Sequence, residues 1–166
     1  MNSYGLIDLH CDTLAEYWKY AHTGNPDTLD DPGRVLSLSN MPKDVHWAQF
    51  YAVFIPDEER GQAAIDCFEK NRANFYRQME KFGDRVAPCR NADDMEKAWA
   101  AGKTAAFLTI ENGSALAGDL SRVHTLAEQG VRAITLTWNG ENELGSGHTT
   151  AVSYTHLRAH ETGAYL

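Results

Sequence analysis

A chain of 166 residues that is 43% hydrophobic and 23% charged has the composition of one soluble globular domain with enough apolar surface for a core, which excludes an intrinsically disordered segment. Its 15 Lys and Arg against 23 Asp and Glu give a formal charge of -8, which repels phosphate backbones and anionic lipid surfaces. Nucleic acid is thereby excluded as the expected partner, and no membrane partner is evident.

The first residues, Met-Asn-Ser-Tyr-Gly-Leu-Ile-Asp, have no basic start and turn acidic before an apolar run can form, so no secretory leader is expected. No later stretch is long and apolar enough to predict a bilayer span. Tyr4 to His10 predicts a short strand, and the amphipathic stretch from Thr13 to about Tyr20 predicts a helix after it. Thr23 to Pro42 carries Gly24, Pro26, Pro32 and Gly33 among Asp and Ser residues and reads as a long irregular excursion. Trp47 to Ile55, aromatic and β-branched and stopped by Pro56, predicts a second strand.

From Glu58 to Phe82, the residues Ile65, Phe68, Phe75, Tyr76, Met79 and Phe82 recur at helical spacing, with Gly83 placed to end the helix. Asn91 precedes a shorter helix with acidic residues in its first turn, Met95, Ala98 and Trp99 on one face, and Gly102 just past its end. Thr104 to Ile110 predicts a strand, Leu120 to Gln129 a helix closed by Gly130, and Val131 to Trp138 another strand. No repeat is visible. Strand then helix, several times over, predicts an α/β fold with a parallel sheet and helical crossovers. An open doubly wound sheet or a (β/α)8 TIM-type barrel both suit this order. A barrel usually needs roughly 250 residues, so on the barrel reading the chain holds a partial barrel, its N-terminal half.

His10 and Asp12 close the first strand in Ile-Asp-Leu-His-Cys-Asp. Residues i and i+2 of a strand point the same way, so an imidazole and a carboxylate are aimed together at the carboxyl end, where barrel active sites lie. The pair suits a divalent metal, and a structural or solvated pair is the alternative. Glu111 ends a nearly all-apolar strand in Thr-Ile-Glu-Asn-Gly. A buried carboxylate needs a cation, a metal or hydrogen-bond donors, unless it simply caps the next turn at the rim. His22, His46 and His124 have no partner at ligand spacing and read as exposed or helix-end residues, while His148 follows a Gly-rich loop after the last strand whose course the sequence does not fix, so it is not counted among the expected ligands. The aromatic set Trp47, Phe50, Tyr51 and Phe54 reads as core. Cys11 alternates away from His10 and reads as packing. Cys11, Cys67 and Cys89 form no C-x-x-C pair, so neither a disulfide framework nor a cysteine zinc site is expected, and a reducing, cytoplasmic setting fits.

Three segments in order resemble the membrane (renal) dipeptidase family, peptidase family M19. Ile-Asp-Leu-His-Cys-Asp is similar to its opening D-x-H-x-D element, Trp-Ala-Gln-Phe-Tyr-Ala-Val-Phe at 47–54 to its Gln-Phe-centred second strand, and Thr-Ile-Glu-Asn-Gly to its E-G-G element. Gly-Val-Arg-Ala-Ile-Thr-Leu-Thr-Trp-Asn at 130–139 is similar to the strand that follows. The resemblance implies a (β/α)8 barrel with two zinc ions that hydrolyses dipeptides. It implies that His10 and Asp12 bind one zinc and that Glu111 bridges both and is catalytic. A dipeptide is the implied substrate, and a homodimer is open to the complete enzyme. Trp138 stands where better-known members carry a substrate-contacting His, so it is the expected substrate-binding residue and peptide preference does not carry over. The histidines of the second zinc site and the groups that hold the substrate termini have no counterpart in this chain.

The boundary of the barrel part is expected at residue 151. Val-Ser-Tyr-Thr-His-Leu-Arg-Ala-His-Glu-Thr at 152–162 resembles one reading frame of a transposase sequencing adapter, so 152–166 is expected not to be native. His156 and His160, otherwise an i, i+4 zinc pair on a helix, are then accidents of translation. The fragment is expected to be inactive as it stands. Another metal-dependent amidohydrolase-like barrel enzyme, or a non-catalytic truncated product, are the rival readings, and Asp12 in place of a second His argues against the first.

Overall fold

A computed structural model of the chain describes residues 4–14 and 28–150. Most of the helix expected over 13–20, His22, and the tail with His156 and His160 lie outside the described residues.

Strands β1 (Gly5–Cys11), β2 (His46–Phe54), β3 (Val86–Pro88), β4 (Thr104–Glu111) and β5 (Val131–Ile134) form one parallel sheet. β1 pairs with β2, and β2 runs the length of β4 from Ala48 opposite Ala105 to Phe54 opposite Glu111. The far edge of β4 is shared. β3 takes its start, with Val86 opposite Thr104, and β5 takes its end, with Ile134 opposite Ile110. β2, β4 and β5 therefore run towards one rim, and Glu111 stands on it, while β3 stops short.

Between the strands come α1 (Gln62–Lys81), α2 (Ala92–Ala100) and α3 (Arg122–Glu128). α1 buries Ala64, Phe68, Phe75 and Met79, whose spacing puts them on one stripe. That stripe meets Tyr51, Val53, Ala106, Leu108 and Ile110 of the sheet and Leu126 of α3 in the main core. Each fully buried aromatic or aliphatic side chain there contributes about 1.5–3 kcal/mol. The opposite face of β2 and β4 carries Ala48, Phe50, Ala105 and Phe107, and α2 packs Met95, Ala98 and Trp99 against it. Phe50 and Phe107 stack at 4.7 Å. Trp99 stacks on His46 and donates its indole N–H to the Trp47 carbonyl at 2.9 Å, which covers this face near the amino ends of the strands. The carboxyl ends are left for chemistry.

Local signals explain the helix limits. The Asn91 side chain accepts the Asp94 N–H and caps α2, and Gly102 leaves it at φ +70°. α1 starts at Gln62 rather than Glu58, because 56–60 closes a turn in which the Glu59 N–H reaches the Pro56 carbonyl. β3 was not expected, since three residues are too few for any alternation to register. β5 stops at Ile134 rather than Trp138, and the chain leaves the ladder for a loop. The aromatic set divides between faces: Tyr51 belongs to the main core, Phe50 packs against the second core cluster on the opposite face, and Phe54 meets Trp138.

Candidate metal centre

β1 does not reach the rim as a regular strand. Asp8 lies opposite Gln49 but Cys11 lies opposite Tyr51, so three steps on β1 match two on β2 and one extra residue bulges. A bulge bends a strand and re-aims its side chains. The Asp8 carboxylate accepts the His10 N–H at 3.1 Å across it. Cys11 then packs against the main core, with its thiol pushed up to about 12 by burial, as strand alternation predicts. His10 and Asp12 are exposed on the other side.

β4 supplies the third group. His10 Nε2 is 3.4 Å from Asp12 Oδ1 and 3.7 Å from Glu111 Oε2, and ligand atoms of all three residues lie within 4.8 Å of one another. Glu111 is half-buried, and its carboxyl is raised first by burial and then by the negative charge of Asp12, with His10 opposing. Two carboxylates and an imidazole held this close are under electrostatic tension that a cation removes. Ligands about 2.0–2.1 Å from a tetrahedral ion sit about 3.3 Å apart, so the contacts at 3.4 and 3.7 Å suit one shared ion. The donor set fits the implied metal. Beside it, a hollow of about 620 Å³ is lined by His10, Asp12, Asp31, Arg34 and Val35. Its wall is tied down where Thr13 Oγ1 donates to the Leu36 carbonyl at 2.7 Å.

Trp138 reaches the same rim. Its indole meets Phe54 edge-on at 4.8 Å, Phe54 is the partner of Glu111 across the ladder, and Trp138 is 41% exposed. Among the described residues, the other histidines do not join the site. His46 starts β2, and His124 and His148 are exposed and outside the cluster, which among the described residues consists of His10, Asp12 and Glu111. Sequence reasoning missed Asp57, Asn112 and Asn142, which lie just behind the rim in a hydrogen-bonded network. Asn-Gly after a strand was the available signal, since Asn tolerates positive φ and Asn112 has φ +79°.

Three solved structures are similar in fold. Dipeptidase AC, a metallopeptidase of family M19, aligns with a TM-score of 0.73 at 19% identity over 88% of this chain and 46% of that one. A metallopeptidase from Rhodobacter sphaeroides, liganded with a phosphinate mimic of the dipeptide L-Ala-D-Ala, aligns with a TM-score of 0.73 at 18% identity over 88% and 49%. An amidohydrolase from Pseudomonas aeruginosa aligns with a TM-score of 0.59 at 22% identity over 70% and 33%. The chain spans less than half the length of each, and its α/β architecture with a parallel sheet is part of the barrel they share. The sequence profile described as Membrane dipeptidase (Peptidase family M19) matches residues 1–163. Taken with His10, Asp12 and Glu111 at the strand ends, that match over nearly the whole chain places the protein in the membrane dipeptidase family, peptidase family M19.

Proposed function

We propose that this chain is the metal-binding N-terminal half of a zinc-dependent dipeptidase. The observation that carries the reading is the convergence of His10, Asp12 and Glu111 from two strands that do not pair with each other. When bound, zinc supplies Lewis-acid polarisation of a carbonyl and lowers the pKa of water towards neutrality.

The chain's own residues set the conditions. His10 would hold the metal as the neutral imidazole, and Asp12 and Glu111 as carboxylates, so the trio brings two negative charges, which offset one dication. Glu111 is the bridging candidate, because it comes from β4 rather than from the end of β1 that carries His10 and Asp12, and is the more buried carboxylate. Trp138 and Phe54 form an aromatic wall beside Glu111, suited to the side chain of a bound dipeptide. A reducing, cytoplasmic setting belongs to the same proposal, supported by three free thiols.

The activity of the whole enzyme needs groups beyond this trio, so the 166-residue chain is proposed to hydrolyse no dipeptide at a useful rate. Zinc per chain by elemental analysis and turnover of a dipeptide panel test both claims. The reading expects zinc bound through His10, Asp12 and Glu111, no turnover by this chain, and turnover by a version extended with the rest of the barrel. Zinc retained after His10→Ala and Glu111→Gln together would overturn it. The proposal also holds 152–166 to be translated adapter, and codons 152–162 found intact in source DNA would refute that part.

A further inference from the structure

Behind Glu111 the chain turns through Asn112, a fully buried residue at φ +79° whose amide joins the ends of three strands. Its Nδ2 donates to the Ile55 carbonyl at 2.9 Å and to Asp57 Oδ1 at 3.3 Å, both just beyond β2. Its Oδ1 accepts from the Ser114 N–H and hydroxyl after β4, and from Asn142 Nδ2 at 2.8 Å in the loop after β5. The Asn112 N–H donates to Thr135 Oγ1 at 2.9 Å.

Asn142 carries the connection onward. It is buried, donates to the Leu136 carbonyl at 2.6 Å, and accepts the Leu144 and Gly145 N–H groups at 2.8 and 3.0 Å. On the other side, the second oxygen of Asp57 accepts the Gly140 N–H at 2.7 Å. Leu136 and Gly140 each lie two residues from Trp138. The indole is thus pinned on both sides, and both pins lead back to Asn112. The seat is shaped for closeness. A Cβ on Gly113 would collide with Leu144 and come within 3.0 Å of the Leu136 carbonyl, and one on Gly140 would lie 2.9 Å from the Asp57 carboxyl carbon.

We propose that Asn112 and Asn142 form a buried amide clamp that positions the loop after β5, and with it Trp138, against Phe54 at the rim. They are positioning residues that act through Trp138. The substrate-facing meaning of Trp138 rests on the dipeptidase reading, but the clamp does not. A buried carbonyl or amide left unpaired has lost water without gaining a partner, a local penalty that releases a short loop while the sheet stays folded.

The test uses the 166-residue chain without metal or substrate, so it stands or falls separately from dipeptide hydrolysis. Asn112→Gly suits the positive φ and removes only the side chain, and Asn142→Ala removes the second half of the clamp. Hydrogen exchange is followed at the Gly140, Leu144 and Gly145 amides and at the Phe107 and Leu108 amides of β4. The fluorescence and near-ultraviolet dichroism of Trp138 are isolated by difference from Trp138→Phe. In both variants the loop amides are expected to exchange about tenfold faster or more while the β4 amides change less than about twofold. The Trp138 signal should move towards that of a solvated indole. Unchanged loop amides with an unchanged Trp138 signal would overturn the clamp. Acceleration in both variants that includes Phe107 and Leu108 would also overturn it, because it marks a general structural role.

Discussion

His10 Nε2 lies 3.7 Å from Glu111 Oε2, although β1 and β4 touch only through β2 between them. The contact exists because a bulge bends the end of β1 and because β2 and β4 stay in register to their last residues, Phe54 opposite Glu111. The carboxylate in that contact is held against its own preference for water, since burial and Asp12 both raise its pKa.

That tension gives Glu111→Gln a double signature. A carboxyl raised above its ordinary value of 4.5 favours the fold while protonated, and the benefit is lost as pH rises through the folded-state value. At neutral pH the metal-free chain therefore carries a penalty that Gln removes. Urea midpoints of the metal-free variant are expected to rise slightly at neutral pH and to be unchanged in acid, while zinc per chain falls. If the extended enzyme holds two zincs, as the resemblance implies, both should weaken together in Glu111→Gln, whereas Asp12→Asn should weaken mainly one. A variant that keeps its zinc at a normal level would remove Glu111 from the metal site.

Trp138→Ala separates substrate choice from metal binding. The indole rests on Phe54, which pairs with Glu111, and Trp138 offers no group to the cluster of His10, Asp12 and Glu111. Zinc content is expected to be unchanged, and in the extended enzyme relative kcat/KM across dipeptide side chains should shift by about tenfold, the scale set by filling or emptying part of an apolar pocket. An unaltered ranking of the panel would refute a substrate-facing Trp138.

Asp30 and Arg85 set an acid limit on one loop. Arg85 grips both oxygens of Asp30, at 2.9 and 2.7 Å, and Ser39 adds a hydrogen bond at 2.7 Å. These hold the Asp30 carboxyl below its ordinary 3.8. Its stabilisation is present above that ordinary value and is lost as pH falls through the lower folded one. Both side chains are partly solvated, so Asp30→Asn is expected to cost only about 0.5–1 kcal/mol at neutral pH. Urea titrations of the two proteins should converge in strong acid, and a gap that persists there would contradict the pairing.

β1 presents Ile7 and Leu9 to solvent at 52% and 69%, and among the described residues it pairs only with β2. An exposed apolar edge recruits other strands. Leu9→Lys is expected to reduce light scattering of concentrated protein while leaving the unfolding midpoint within about 0.5 kcal/mol of the parent. Equal scattering by parent and variant would show that association proceeds elsewhere.

Much of this organisation was legible from residue order alone, and the reasons are local. α1 declares itself by an apolar stripe with a 3.6-residue period, α2 by Asn91 and Gly102, and β4 by an unbroken apolar run that ends in Glu111. His10 and Asp12 could be paired because strand alternation is short-range. The exposure of Ile7 and Leu9 was not legible, since an apolar strand reads the same with or without a neighbour on its free edge. Nor was the link between Asp57, Asn112 and Asn142, where residues far apart in sequence are joined by hydrogen bonds that follow no period.

The order of the strands also sets a timetable. β1 and β2 leave the ribosome before β4 and are neighbours in the sheet, so His10 and Asp12 can take their places before Glu111. Glu111 comes at the end of β4, after α1, β3 and α2 have been made, and until β4 docks along β2 the group of three is incomplete. The group of three can therefore assemble only once the ladder between β2 and β4 has closed as far as Phe54 and Glu111.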